Sequence, residues 1–214
     1  MTVAAKICGL STEAAVAAAV EGGAAFVGFV FYPPSPRSVA PARAGELARL
    51  VPSSVRRVAL FVDADDTMIG TVLDAVPTID ILQFHGAETP ERVAEAKHRF
   101  GRQVMKAVAI AGQKDLTVAV SYEDSADLLL FDAKPPLGAT RPGGNGLAFD
   151  WQLIAGRHWR RPWLLSGGLT AELLPEAVDI SGASAVDVSS GVETAPGEKD
   201  PAKISAFLKA AARL

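Results

Sequence analysis

Eight short apolar runs, separated by longer segments of helical period, constrain this chain more than any other feature of its sequence. The runs are VAAKIC, AAFVGFVF, VRRVALFVD, TIDILQFHG, RQVMKAVAI, ADLLLFDAK, RPWLLSGG and ASAVDVSS. Between them, residues 12–21, 41–51, 66–76, 90–100 and 202–214 are rich in Ala, Leu, Glu, Lys and Arg. Helix start signals sit where this reading needs them: Ser11-Thr12 before the first such segment, Thr89-Pro90-Glu91 at the fourth and Asp200-Pro201 at the last. Strands that alternate with helices form βαβ units on a parallel sheet. Eight such strands joined by right-handed crossovers close that sheet into a barrel with no unpaired edge. The expectation is an α/β fold, a single (β/α)8 TIM-barrel domain spanning residues 1–214. The competing open, doubly wound sheet prefers a Gly-rich turn after an early strand, whereas the glycines of EGGAAFVGF precede one.

Composition narrows the class of partner. A formal net charge of -3 supplies no global basic field, so neither nucleic acid nor an anionic membrane is expected as a partner, and a small soluble substrate is. The longest Ala/Val stretch, residues 14–20, is bounded by Glu13 and Glu21, far below the ~20 residues of a membrane span. Lys6 and Gly9 interrupt any apolar leader at the N-terminus. One cysteine, Cys8, forms no internal disulfide, and no Cys/His spacing resembles a zinc site. A cytoplasmic protein is expected, as monomer or homodimer, without a metal.

In a barrel of this kind the chemistry gathers at the C-terminal ends of the strands, and period-2 alternation decides which side chains point inward. Lys6 and Cys8 share one side of the first strand, with Ile7 on the other. Gln83 and His85 share a side of the fourth, Leu130 and Asp132 of the sixth, and Asp187 and Ser189 of the eighth. Each has a plain structural explanation taken singly, a buried small thiol or a helix-capping carboxylate among them. Agreement of parity across four strands favours a site.

Two glycine stretches add a second signal. LLSGGLTAELL places Ser166-Gly167-Gly168 after the seventh strand, and VDVSSGVETAPG places Ser189-Ser190-Gly191 after the eighth. Loops at these two positions commonly hold phosphate, because glycine lets backbone N–H groups approach the anion. RPGGNG, with Gly144 and Gly146, adds donors from the loop above, and residues 137–141 of that loop read as a lid. Arg37, in the proline-restricted loop YPPSPRSV, is a planar cation suited to a substrate carboxylate.

KICGL, GFVFYPPSPRSV, LFVD, LQFHG, LLFDAK, GGNGLAFDW, LSGGL and AVDVSSGVE, in this order along nearly the whole chain, resemble the phosphoribosylanthranilate isomerase family of tryptophan biosynthesis. The resemblance implies a (β/α)8 barrel that performs an Amadori rearrangement, N-(5-phosphoribosyl)anthranilate becoming 1-(2-carboxyphenylamino)-1-deoxyribulose 5-phosphate, with no metal or organic cofactor. By position in the motifs it makes Cys8 the general base and Asp132 the general acid. It gives Arg37 the anthranilate carboxylate, and the loops after strands seven and eight the phosphate of the substrate. Gln83, His85 and Asp187 are expected as substrate-binding residues, and Gly144, Gly146, Gly167, Gly168, Ser189 and Ser190 as the phosphate-binding set. Asp132 must hold a proton to donate it. Cys8 must reach the thiolate, which Lys6 and the positive ends of helices would favour.

Other readings stay open at this level. An indole-glycerol-phosphate synthase resembles a Lys/Glu-dependent barrel, and a histidine-pathway sugar isomerase uses paired aspartates; Cys8 on the first strand fits neither. A catalytically silent sensor of phosphorylated ligands would keep the glycine loops without needing Cys8 or Asp132.

Overall fold

The structure is a computed structural model that describes residues 2–134, 143, 146 and 148–214. The eight apolar runs form strands β1 (Ala4–Cys8), β2 (Phe26–Val30), β3 (Arg56–Phe61), β4 (Ile81–Phe84), β5 (Gln103–Ile110), β6 (Leu128–Ala133), β7 (Trp163–Leu165) and β8 (Ala185–Val188). They hydrogen-bond in chain order, and β8 returns to β1 with Lys6 opposite Asp187, so the sheet is a closed parallel barrel.

Helices α1 (Glu13–Glu21), α2 (Pro41–Ala48), α3 (Asp66–Ala75), α4 (Pro90–Phe100), α5 (Gln113–Ser121), α6 (Leu174–Ser181) and α7 (Pro201–Ala211) surround it. Their starts follow the sequence signals. Thr12, Asp65, Thr89 and Asp200 each accept a backbone N–H of the first turn, and Pro41, Pro90 and Pro201 open α2, α4 and α7, where a missing N–H costs nothing. Gly101 and Gly182 end α4 and α6 at positive φ. None of these helices is long and apolar enough to cross a membrane.

Alternation sorts the core into layers. Ile7, Phe29, Phe61, Phe84, Phe131 and Val186 face outward and pack under the helices. Val58, Ile81, Met105, Leu128, Leu130 and Leu164 fill the lower barrel. Cys8, Val30 and Leu60 form an upper group against Tyr32 and Val62. The crossover between β6 and β7 carries only a 3-10 turn, Trp151–Leu153, among its described residues. Aromatic side chains fill the flank of β6 there: Trp159 and Trp163 lie 4.7 and 5.4 Å from the Phe131 ring. The lid expected at residues 137–141 lies outside the described residues.

After β8 the chain makes a second 3-10 turn, Ser190–Val192, and then an antiparallel hairpin, β9 (Glu193–Ala195) and β10 (Glu198–Lys199), which the apolar pattern does not announce.

Candidate active site

The ends of the strands open into a cavity of about 770 Å³, counting the part continuous with solvent. Cys8, Arg37, His85, Asp132, Asp187, Gly146, Gly167, Gly168, Ser189 and Ser190 line it together. Val30, Leu60, Val62 and Leu169 form its apolar wall. Gln83 does not line it; that side chain stands behind His85, and Gly144 lies outside the described residues.

Cys8 ends β1, where Gly9 turns the chain at φ 79 and the N–H groups of Gly9 and Leu10 both reach the Gly28 carbonyl. One layer deeper, the fully buried Lys6 ammonium meets Asp187 at 2.7 Å, and the second Asp187 oxygen accepts from Ser166 Oγ at 3.2 Å. Gly28 makes room for the two β1 side chains: a Cβ there would stand 3.2 Å from Cys8 Sγ and 3.3 Å from Lys6 Nζ. Burial opposes the Lys6 charge, but Asp187 and Cys8 more than offset it and raise the pKa above the ordinary lysine value. The thiol goes the opposite way from the thiolate expected beside a lysine. Burial pushes Cys8 up, Lys6 and Lys199 pull it down, Asp187 opposes them, and the net shift is upward.

Asp132 ends β6, with Oδ1 accepting from the Ala133 N–H at 2.8 Å and Oδ2 lying 3.2 Å from His85 Nε2. Gln83 Nε2 lies 3.1 Å from the other ring nitrogen of His85. Gly143 and Gly167 close over the carboxyl, since a Cβ on either would come within 2.8 and 3.2 Å of its oxygens.

Arg37 is buried, although it sits in a loop. Its guanidinium forks onto Glu193, Nε to Oε1 at 2.7 Å and Nη2 to Oε2 at 2.8 Å. Burial opposes the Glu193 charge, but Arg37 and Lys199 hold this carboxyl below the ordinary range. Gly167 and Gly168 take φ 93 and 65 at the end of β7, conformations open to glycine and strained for other residues. Ser189 Oγ donates to the Cys8 carbonyl at 3.2 Å.

Sequence reasoning missed Glu193, Lys199 and Gly28. No period or motif marks the polar residues after β8 as partners of Arg37, and nothing local marks Gly28 as facing the thiol. Among the described residues, no group of three or more His, Cys, Asp or Glu is placed to share a metal ion.

Comparison with known proteins converges on one family. Residues 5–210 match the family model described as N-(5'-phosphoribosyl)anthranilate (PRA) isomerase. A Rhodospirillum centenum protein of that name is 60% identical over 100% of both chains. A crystal structure of phosphoribosyl anthranilate isomerase from Thermotoga maritima, 38% identical, superposes with a TM-score of 0.88 over 99% of this chain and 100% of its own. Another phosphoribosyl anthranilate isomerase structure, 36% identical, with TM-score 0.84 over 99% of this chain and 100% of its own, is a complex with reduced 1-(o-carboxyphenylamino)-1-deoxyribulose 5-phosphate. A closed barrel with thiol, carboxyl and buried arginine around one cavity, matched along almost all of its length, places the chain in the PRA isomerase family.

Proposed function

We infer that the chain isomerises N-(5-phosphoribosyl)anthranilate to 1-(2-carboxyphenylamino)-1-deoxyribulose 5-phosphate in tryptophan biosynthesis, with Asp132 as general acid and Cys8 as general base. One observation carries the assignment of roles: thiol and carboxyl open into the same cavity from strands three steps apart around the ring, with Arg37 and the glycine loops lining it as well. The glycine loops suit the phosphate and Arg37 the aryl carboxylate, so the ribose of a ligand held at both ends lies between them.

Asp132 protonates the ring oxygen, the C1–O bond breaks, and the anilinic nitrogen supplies the electrons of a protonated Schiff base. Cys8 then takes the proton from C2, and the electron pair of that C–H bond neutralises the iminium. The resulting enolamine gains a proton at C1 and loses one from the C2 hydroxyl, giving the ketone, and the thiol then releases its proton to solvent while Asp132 takes one up, which restores both groups.

The Gln83–His85–Asp132 chain suits the first step. With the Gln83 amide donating to His85 Nδ1, Nε2 holds the ring proton and donates to an ionised Asp132. Turning the amide over brings Gln83 Oε1, which is buried with no hydrogen-bond partner, onto a protonated Nδ1. Nε2 then accepts from a protonated Asp132, the state an acid requires. Gln83 in this role binds His85 rather than substrate. The buried, upshifted thiol is a strong base once ionised, and the cationic Schiff base forms in the cavity that it lines.

The test follows the fluorescence of N-(5-phosphoribosyl)anthranilate, made in situ from anthranilate and phosphoribosyl pyrophosphate by a phosphoribosyltransferase. Wild type accelerates its decay, and Cys8→Ala and Asp132→Asn each lower kcat at least about a hundredfold, the scale of a lost acid or base. Near wild-type turnover by either variant removes that residue from its role, and no acceleration by folded wild type removes the activity.

A further inference from the structure

The hairpin that follows β8 has no part in closing the barrel, yet it carries the side chain that grips Arg37. Pro196-Gly197 forms its turn, with Gly197 at φ 91, and β9 and β10 then pair Lys199 with Glu193. The turn lies directly on the Arg37 loop: a Cβ on Gly197 would come 2.4 Å from the Pro36 carbonyl oxygen. Only a glycine allows that approach, so the hairpin and the loop are seated backbone against backbone.

From this seat Glu193 takes Arg37 through two parallel bonds, Nε and Nη2 each to its own carboxylate oxygen. A planar fork of this kind fixes the plane of a guanidinium as well as its position. Lys199 pairs with the same Glu193 and donates to Ser189 O and Oγ at 3.0 and 3.2 Å, and Ser189 in turn reaches the Cys8 carbonyl. Lys203 Nζ holds the Glu193 carbonyl at 2.7 Å. One buried network therefore joins the carboxylate-binding cation to the backbone of the base.

We propose that Glu193, seated by the β9–β10 hairpin, is a positioning residue that sets the plane in which Arg37 meets the aryl carboxylate of the ligand. The proposal rests on the reading of Arg37 given above. It assigns Glu193 a share in recognising the aryl end of the ligand and none in holding phosphate.

Steady-state kinetics of wild type, Glu193→Gln and Glu193→Asp, with N-(5-phosphoribosyl)anthranilate generated in situ, test it. Titrations with reduced 1-(2-carboxyphenylamino)-1-deoxyribulose 5-phosphate and with inorganic phosphate accompany them. Glu193→Gln is expected to raise KM, and Kd for the aryl-carboxylate compound, about tenfold, the scale of one charge-assisted bond. Its kcat stays within about threefold, since the contact exists before and during the reaction, and Kd for inorganic phosphate does not move. Glu193→Asp keeps the charge and falls between the two, and it carries the test alone where the glutamine variant does not fold. An unchanged KM in an active, folded variant overturns the proposal. So does a parallel loss of phosphate affinity, which marks Glu193 as a strut for the whole site. An inactive wild type overturns the underlying assignment of function and this proposal with it.

Discussion

Gly28→Ala puts one methyl group into the narrowest part of the proposed machinery. Its Cβ would stand 3.2 Å from Cys8 Sγ, 3.3 Å from Cys8 Cα and 3.3 Å from Lys6 Nζ. Carbon atoms prefer roughly 3.5–4.0 Å to their neighbours, so the thiol and ammonium must yield by a few tenths of an ångström. The ammonium is tied to Asp187 at 2.7 Å and the Cys8 Cα belongs to a paired strand, which leaves Sγ as the atom most free to move. Overpacking of this kind costs about 1–3 kcal/mol, and at about 2–4 °C per kcal/mol in a domain of this size the Tm falls by roughly 2–12 °C. Catalytic groups work within about 0.5 Å of their productive positions, and a 1 Å error costs about a hundredfold. A displacement of a few tenths therefore lowers kcat by about three- to tenfold. Fluorescence kinetics at saturating substrate and a thermal melt on the same preparation measure both numbers. A variant with wild-type kcat and wild-type Tm would refute the reasoning, because it would mean that Gly28 is not the space in which the thiol sits.

Further expectations follow from the same geometry. The proposed mechanism uses the Cys8 thiolate as base, and burial raises its pKa, so kcat/KM is expected to climb with pH along a limb above that of an ordinary thiol; a profile flat from neutral to alkaline pH would remove Cys8 from that role. Phe131→Ala removes the ring between Trp159 and Trp163 on the flank of β6 and lowers stability by about 3–5 kcal/mol in urea unfolding, and a loss below about 1 kcal/mol would mean that the crossover repacks around the gap.

The barrel was legible because its information is local. Each apolar run carries its own period, each helix its own cap or proline, and parity alone brought Cys8, His85, Asp132, Asp187 and Ser189 to one end of the ring. What parity does not carry is the depth of a side chain or the identity of its partner. Gln83 and His85 share a side of their strand, yet only His85 reaches the cavity while Gln83 stands behind it. Arg37 and Glu193 are separated by 156 positions, and no pattern near either announces the other. The net state of the thiol is hidden from sequence for a related reason. Lys6 is visible two positions away in sequence, but the burial that outweighs it arises only when the whole ring is closed.

The seam between the first strand and the last also sets when this protein becomes competent. Lys6–Asp187 and Cys8–Ser189 each join residues 181 positions apart. Closing so long a segment costs about 2 kcal/mol more in chain entropy than closing one of ~20 residues. The thiol belongs to the first strand of the barrel, but the carboxylate that anchors its neighbouring ammonium belongs to the last. Until that final strand docks, Lys6 has no counter-ion and the backbone of Cys8 has no Ser189 to hold it. The proposed acid–base pair is thus framed as one unit only when the ring is sealed.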